Sequence, residues 1–366
     1  MAGVYVHIPF CASKCAYCDF YSVPSRQSMT RVVTAIGEEW TMRASELTEP
    51  PSTLYIGGGT PSLLPDDEFA RLASMLPAGD VREFTIEANP DDVTAEKVKT
   101  WREAGAGRVS MGVQSLVDTE LREVGRRHTA AQAVEAVRLL REGGVSNISL
   151  DLIYGLPGQT LDTWRQSLDR IIALHPEHVS AYLLSVEPGT RLYARRLAGR
   201  FTPADEDTVV AMYSYLCRAM HEAGYEHYEI SNFALPGRRS RHNSAYWDFA
   251  PYVGLGPAAH GCGSDGLRRV NPADIRQYLA RIEARTPAYT VEEETETDRL
   301  NDRILASLRR AEGLSLSTLP AWARTDLLRA ARSIPASRLR ICGDTLSIPE
   351  EAFLVSDAVI RQLLLP

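Results

Sequence analysis

Nowhere in the 366 residues is there a run of about 18 apolar side chains, so no segment is suited to cross a bilayer as a helix. The first residues pass directly into "GVYVHIPF" (3–10) without the basic region, apolar stretch and cleavage site of a secretory signal. The expected location is the cytoplasm. Basic residues are not in excess either: 40 Lys and Arg stand against 47 Asp and Glu, a net charge of −7. That balance excludes a general nucleic-acid binder and leaves room only for local basic patches. Low-complexity segments and internal repeats are also missing. Cysteine is scarce. Of the six, Cys217, Cys262 and Cys342 stand alone, which is unlike the distributed framework of an oxidised secreted domain. These three read as small buried hydrophobes.

What is present is the composition of an ordinary enzyme, 44% hydrophobic and 24% charged, in a chain long enough for one large domain and one small one. Strand-like runs occur at 4–9, 53–59, 83–89, 108–114, 148–155 and 178–185, rich in Val, Ile and Tyr and bounded by Gly, Pro or Asn. Helix-period segments lie between them, such as "SMTRVVTAIGEEWTMRA" and "TAAQAVEAVRLLREGG", the latter stopping on Gly143 and Gly144. Strand and helix alternating about six times predict an α/β fold, a parallel sheet curled into a partial (β/α)6 barrel. Beyond residue 200 come one long helix (205–224) and a polar, aromatic stretch (225–263) too rich in special residues to be filler. An acidic segment, "VEEETETD" (291–298), then precedes a helix, helix, hairpin tail of winged-helix-like order. The expected division is residues 1–290 for the barrel with its extension and 291–366 for a small α+β domain. Arg324, Arg329 and Arg332 in that tail could contact DNA, but a solvated face suits the acidic total better, and no nucleic-acid partner is expected.

Chemistry in such barrels gathers at the C-terminal ends of the strands, and the unusual residues collect there. Cysteines follow the first strand, Gly57, Gly58, Gly59 and Thr60 end the second, and Glu87 the third. Gln114 ends the fourth, Asp151 and Tyr154 lie near the end of the fifth, and Ser185 and Glu187 follow the sixth. The glycine run lacks the Lys-Ser or Lys-Thr of a phosphate loop, and "GLGPAAHG" (254–261) lacks the strand–turn–helix setting of a dinucleotide site. An edge-on contact to a small polar ligand remains for Gly57 to Thr60.

Cys11, Cys15 and Cys18 fall within eight residues. A structural zinc site wants four ligands; His7 could be the fourth, but it lies inside a strand and no second cysteine pair follows. Iron–sulfur clusters also take thiolates, and three on a four-iron cluster leave one iron open to an exchangeable partner. The C-x3-C-x2-C spacing, with Tyr17 before the last cysteine, resembles the radical S-adenosylmethionine (radical SAM) superfamily. Together "YVHIPFCASKCAYCDF", "GGGTPS", "IEANP", "MGVQS", "DLIYGLPGQT", "EPGT", "YEISNFA" and "RHNSAYW" resemble the HemN/HemW group, its anaerobic coproporphyrinogen III oxidase-like branch.

The resemblance covers nearly the whole chain. It implies that Cys11, Cys15 and Cys18 bind a [4Fe–4S] cluster whose fourth iron is chelated by S-adenosylmethionine. It also implies that Tyr5 and Tyr17 pack around that cofactor, and that Gly58, Gly59 and Thr60 contact its methionyl part. Glu87, Gln114, Arg126 and Asp151 match positions that hold the methionyl and ribose groups, carboxylates suiting an ammonium and hydroxyls, Arg a carboxylate. Oxidases of the group carry a fourth cysteine two residues after the third and a long N-terminal arm; here Phe20 holds that place and the first strand starts at Val4. Both departures point to the HemW-like branch, which binds haem and serves as haem chaperone to respiratory haem proteins. The expected role is therefore haem transfer, with oxidative decarboxylation of coproporphyrinogen III as the alternative. The group's His-Asn-x-His-Tyr motif appears as "HNSAY", with Ala245 in place of the second His, which makes His242 the candidate haem contact. A peripheral membrane contact and a homodimer complete the expected partners.

Overall fold

The computed structural model describes residues 2–79 and 81–366. Its first half alternates strands β1 (Ala2–Ile8), β2 (Pro51–Gly58), β3 (Glu83–Ala88), β4 (Arg108–Gln114), β5 (Asn147–Tyr154) and β6 (His178–Leu183) with helices. These are α1 (Met29–Arg43), α2 (Asp66–Met75), α3 (Ala95–Glu103), α4 (Asp118–Glu123), α5 (Ala130–Glu142) and α6 (Leu161–Ala173). All six strands run parallel in sequence order, the expected partial barrel. Each predicted strand begins and ends within two residues of the observed one. Thr129 and Thr160 close capping boxes at the starts of α5 and α6, satisfying N–H groups that a helix start leaves open.

Along these strands every second side chain is apolar and buried: Val4, Val6 and Ile8, Leu54 and Ile56, Phe84 and Ile86, Val109 and Met111, Ile148 and Leu150. They join the helices' apolar stripes in one continuous core. Their neighbours point the other way, as a pleated strand requires. That inner face carries Tyr5 and His7, Thr53 and Tyr55, Thr85 and Glu87, Arg108 and Ser110, Ser149 and Asp151, His178 and Ser180. The barrel interior is thus polar and aromatic.

The polar stretch that held no assigned elements, with the residues that follow it, extends this sheet to twelve strands. After α7 (Arg191–Leu197) and α8 (Glu206–Glu222), the antiparallel pair β7 (Glu226–Glu229) and β8 (Asn232–Ala234) borders β6. Next comes α9 (Arg241–Trp247), and β9 (Tyr252–Leu255) then pairs parallel with β1 on its free side. Beyond it lie β10 (His260–Cys262), β11 (Arg268–Val270), α10 (Ile275–Glu283) and β12 (Thr290–Val291). The tail contains α11 (Glu296–Leu308), β13 (Leu314–Ser315), α12 (Ala321–Ala331), β14 (Arg340–Cys342), β15 (Thr345–Ser347) and α13 (Ser356–Arg361). Strand β13 pairs with the expected hairpin, giving a three-stranded sheet. Arg324, Arg329 and Arg332 are exposed, and Arg329 binds Asp326 of its own helix at 2.8 Å. No helix among the described residues is long and apolar enough to cross a membrane.

Glu39 of α1 joins the β9 side of the sheet to the rest. This fully buried carboxylate accepts from Arg43 Nη1 at 2.7 Å, Gly256 N at 2.8 Å, Asn271 Nδ2 at 2.8 Å and Tyr278 Oη at 2.8 Å. Four donors converge because a buried charge is tolerable only when its lone pairs are used. Glu39→Ala orphans those donors and is expected to cost about 3–5 kcal/mol in urea denaturation; a loss below about 1 kcal/mol would disprove this anchoring role.

Candidate cofactor-binding site

The loop after β1 is fixed at both ends. Cys11 N donates to Val23 O at 3.1 Å, Val23 N to Pro9 O at 2.8 Å, and Ala16 N to Val124 O at 2.9 Å. Tyr17 packs with Leu184 against Leu192 and Phe201 on one side and Val124, Ile153 and Leu156 on the other. Cys11, Cys15 and Cys18 are half-buried and free of disulfides. Cys18 is pushed up to about 11, chiefly by burial, with Cys15 and Cys11 adding to the rise. Cys11 Sγ lies 3.1 Å from Thr60 Oγ1, and Arg126 Nη1 donates to Cys15 Sγ at 3.6 Å. His7, the alternative fourth ligand, has no free nitrogen. Its Nε2 lies 2.9 Å from Tyr21 O and must donate there, so Nδ1 accepts from Tyr5 Oη at 3.1 Å.

The glycine run has a structural cause of its own. A Cβ on Gly57 would lie 2.8 Å from Tyr55 Cε1, and one on Gly59 2.7 Å from Phe10 O. Gly58, at φ +108°, would meet the His7 ring at 2.7 Å. The run therefore lets the barrel's own chain approach, independently of any ligand. Glu87 accepts from Tyr55 Oη at 2.8 Å and from Gly58 N at 3.0 Å. Its carboxyl is raised to about 7, chiefly by burial with Asp151 adding, against the lowering by Tyr55, Gly58 and Arg108. Asp151 is also raised by burial, partly offset by Ser180, Arg108, Ser110 and Ser149.

Gln114 ends β4 with a positive φ of 67°, where the register against β5 slips by one residue after Gly112. Such bulges re-aim a side chain at the edge of a site. Arg126 donates to Asn89 Oδ1 at 2.6 Å and to Gly112 O, while its buried Nε has no hydrogen-bond partner. Thr60 and Arg126 are thus hydrogen-bonded to the thiol loop and joined to each other through Asn89, while Glu87 bonds Tyr55 and Gly58 beside them. Tyr5 and Asp151 lie on the same inner face.

The Radical SAM superfamily profile matches residues 5–171. "Heme chaperone HemW" of Bacillus subtilis (strain 168) is 38% identical, covering 86% of this chain and 85% of its own length. The protein of that name from Mycobacterium tuberculosis (strain H37Rv) is 35% identical over 99% of this chain and 94% of its own. The chain belongs to the HemW family of radical SAM proteins. Among solved structures, coproporphyrinogen III oxidase (HemN) from Escherichia coli superposes with a TM-score of 0.84 at 22% identity, over 99% of this chain and 90% of that one. This likeness establishes the shared fold.

Within this HemW-family barrel, α9 closes the end opposite the thiols. His242 is 1% exposed; its Nδ1 lies 2.8 Å from Thr53 Oγ1 and its Nε2 2.7 Å from Tyr246 Oη. The ring stacks on Tyr55 at 5.1 Å, and the His242 amide donates to Glu83 Oε1 at 2.9 Å. Burial and the nearby Arg108 push the imidazole down to about 3. It is therefore neutral, as a ligand must be, but neither nitrogen is free to meet an iron. The geometry gives His242 the part of a buried plug.

Arg108 escaped the sequence reading. It is 2% exposed on the inner face of β4, and its Nε and Nη1 have no hydrogen-bond partner among the described residues. Its charge lowers Glu87 and Asp151 and disfavours protonation of His178 and His242. Only its position at the start of a strand, two residues before an inward Ser, could have signalled this. Arg108→Met is expected to raise both carboxyls further. A raised folded-state carboxyl takes up protons on folding, so its stability contribution falls as pH rises. The variant should therefore lose stability relative to wild type between about pH 5 and about pH 8, on the order of 1 kcal/mol across that window. A pH-independent difference in urea midpoints would refute the electrostatic role.

Proposed function

We propose that this chain is a haem chaperone: it binds haem and hands it to respiratory haem proteins, and it carries a [4Fe–4S] cluster and S-adenosylmethionine at the open end of its barrel. The observation that carries the reading is the set of relatives named haem chaperones that align with most or nearly all of the chain at 35–38% identity. Phe20 supports it. Where an oxidase-type fourth thiol would stand, this side chain is 63% exposed, and Tyr182 and Leu183 at the end of β6 are exposed as well. An exposed apolar side chain two residues past the last thiol suits the face of a porphyrin, and haem contact is assigned to Phe20 because His242 is engaged at both nitrogens.

The residues present fit the cluster and its partner. Three free thiols within eight residues form a soft donor set, and Arg126 Nη1 donates to Cys15 Sγ. Its orphaned Nε calls for an acceptor that a carboxylate would supply. In this reading Cys11, Cys15 and Cys18 hold the cluster. Glu87 has acceptor capacity beyond Tyr55 and Gly58, which suits the methionyl ammonium. Asp151 receives ribose hydroxyls, Gln114 is aimed by its bulge, and Tyr5, Tyr17, Gly58, Gly59 and Thr60 wall the cofactor. When bound, the pair supplies one-electron reductive cleavage of the sulfonium. The chain's part is orientation and exclusion of water.

Haem titration of the cluster-reconstituted protein, with and without S-adenosylmethionine, tests the reading. One haem per chain with an altered Soret band is expected, and unchanged absorption would overturn it. Anaerobic conversion of coproporphyrinogen III to protoporphyrinogen would instead favour the oxidase alternative. Replacing Cys11, Cys15 or Cys18 with Ala should abolish the broad visible absorption after anaerobic reconstitution; full iron and sulfide occupancy in any of them would defeat the cluster assignment.

A further inference from the structure

A second group of donor side chains lies where the barrel meets the tail. Cys217 and His221 are one turn apart on α8 and so share a face. His227 lies on β7, and Glu350 opens the 3-10 turn Glu350–Val355 in the tail. Cys217 Sγ is 4.0 Å from His227 Nδ1, and that nitrogen is 2.7 Å from Glu350 Oε1. Ligand atoms of Cys217, His227 and Glu350 all fall within 4.8 Å of one another. His221 Nε2 reaches Glu350 Oε1 at 3.2 Å.

The orientation of His227 decides what this group can do. Its side chain is 1% exposed, stacked on Phe233 at 4.0 Å and edge-on to Phe353 at 5.1 Å. Nε2 faces the carbonyl of Ile230 at 3.2 Å, and a carbonyl only accepts, so Nε2 carries a proton. Nδ1 of the neutral ring is then a lone pair directed at a carboxylate oxygen, which is repulsive unless a cation stands between them. A proton can serve, and so can a metal. A nucleophilic triad is excluded: thiol and carboxylate converge on the same nitrogen, whereas a relay divides them between the two. By contrast, one nitrogen on a backbone carbonyl with the other facing a thiol and a carboxylate is the usual setting of a metal-bound imidazole. The buried Tyr213 hydroxyl lies against Cys217, and a metal-bound thiolate would give it a stronger acceptor than the thiol.

We propose that Cys217, His227 and Glu350, with His221 as the fourth ligand, form a binding site for a divalent cation of the zinc class that fastens the C-terminal segment to the barrel. Thiolate, imidazole and carboxylate together suit zinc better than calcium or magnesium. Ligand atoms in a tetrahedral zinc site stand about 3.2–3.8 Å apart, so Cys217, His227 and Glu350 need adjustments on the order of 1 Å. His221 is half exposed, free to turn inward, and gives the ion a route from solvent. Binding releases the thiol proton and the proton shared by His227 and Glu350.

The test uses the full chain, both with its cluster reconstituted and with Cys11, Cys15 and Cys18 changed to Ser so that the N-terminal thiols cannot compete. After dialysis against zinc chloride, each form is expected to retain one zinc per chain. With cobalt chloride, the Ser background should show a thiolate-to-cobalt charge-transfer band and the visible bands of a four-coordinate ion, both lost in Cys217→Ala. Glu350→Gln and His221→Ala, at partly exposed positions, should each weaken zinc binding by about tenfold or more, and they decide the matter if Cys217→Ala does not fold. Failure of the wild type to retain zinc, a cobalt band that persists without Cys217, or unchanged affinity in the Glu350 and His221 variants would overturn the proposal.

Discussion

The inner face of the parallel strands is polar, and most of the architecture answers that one constraint. Alternate residues of β1 to β6 place Tyr5, Tyr55, Glu87, Arg108, Asp151 and His178 in an interior that bulk water does not flood. An unpaired charge in such a place is costly. Here the cation of Arg108 and the carboxyls of Glu87 and Asp151 offset one another without direct hydrogen bonds between them, while hydroxyls and neutral imidazoles satisfy the remainder. His178 bonds Ser149 and Tyr228 at 2.8 and 2.7 Å, and His242 of α9 does the same for Thr53 and Tyr246 at the closed end. The open end is left to the thiol loop, where a buried guanidinium nitrogen and a raised carboxyl await opposite chemistry.

Two kinds of reason converge on the same residues at that open end. The glycines that end β2 and follow it let Tyr55, His7 and the chain around Phe10 approach closely, which brings the thiol loop against the sheet. Gly58 presents its N–H to Glu87 for the same reason. Packing and ligand contact are therefore not alternatives here, because the packing creates the position from which a ligand could be met.

Much of this was legible in the sequence. The six parallel strands announced themselves through dense Val, Ile and Tyr with breakers at their ends, and the helices through their period. Short elements did not. Strands β7 to β11 are only three or four residues long, too short for a pattern to emerge, and β9 depends on a partner near the other end of the chain. Arg108 looked like an ordinary strand-initial charge because nothing local shows that a strand's first residue faces inward. His242 was singled out by its motif, yet motif spacing does not reveal that both nitrogens are already engaged. Cys217 looked like a solitary thiol, since His227 and Glu350 reach it through tertiary folding.

The pairing of β9 with β1 bears on how the molecule is made. Val4 and Val6 lie beside Val253 and Leu255, about 250 residues further on, a closure that is slow because so much chain must be ordered first. On the ribosome, the strand that leads into the thiol loop emerges at the outset and acquires β2 early. Its other flank stays uncovered until about seven tenths of the chain has been synthesised. The edge that leads to the cysteines is therefore among the first to appear and among the last to be sealed.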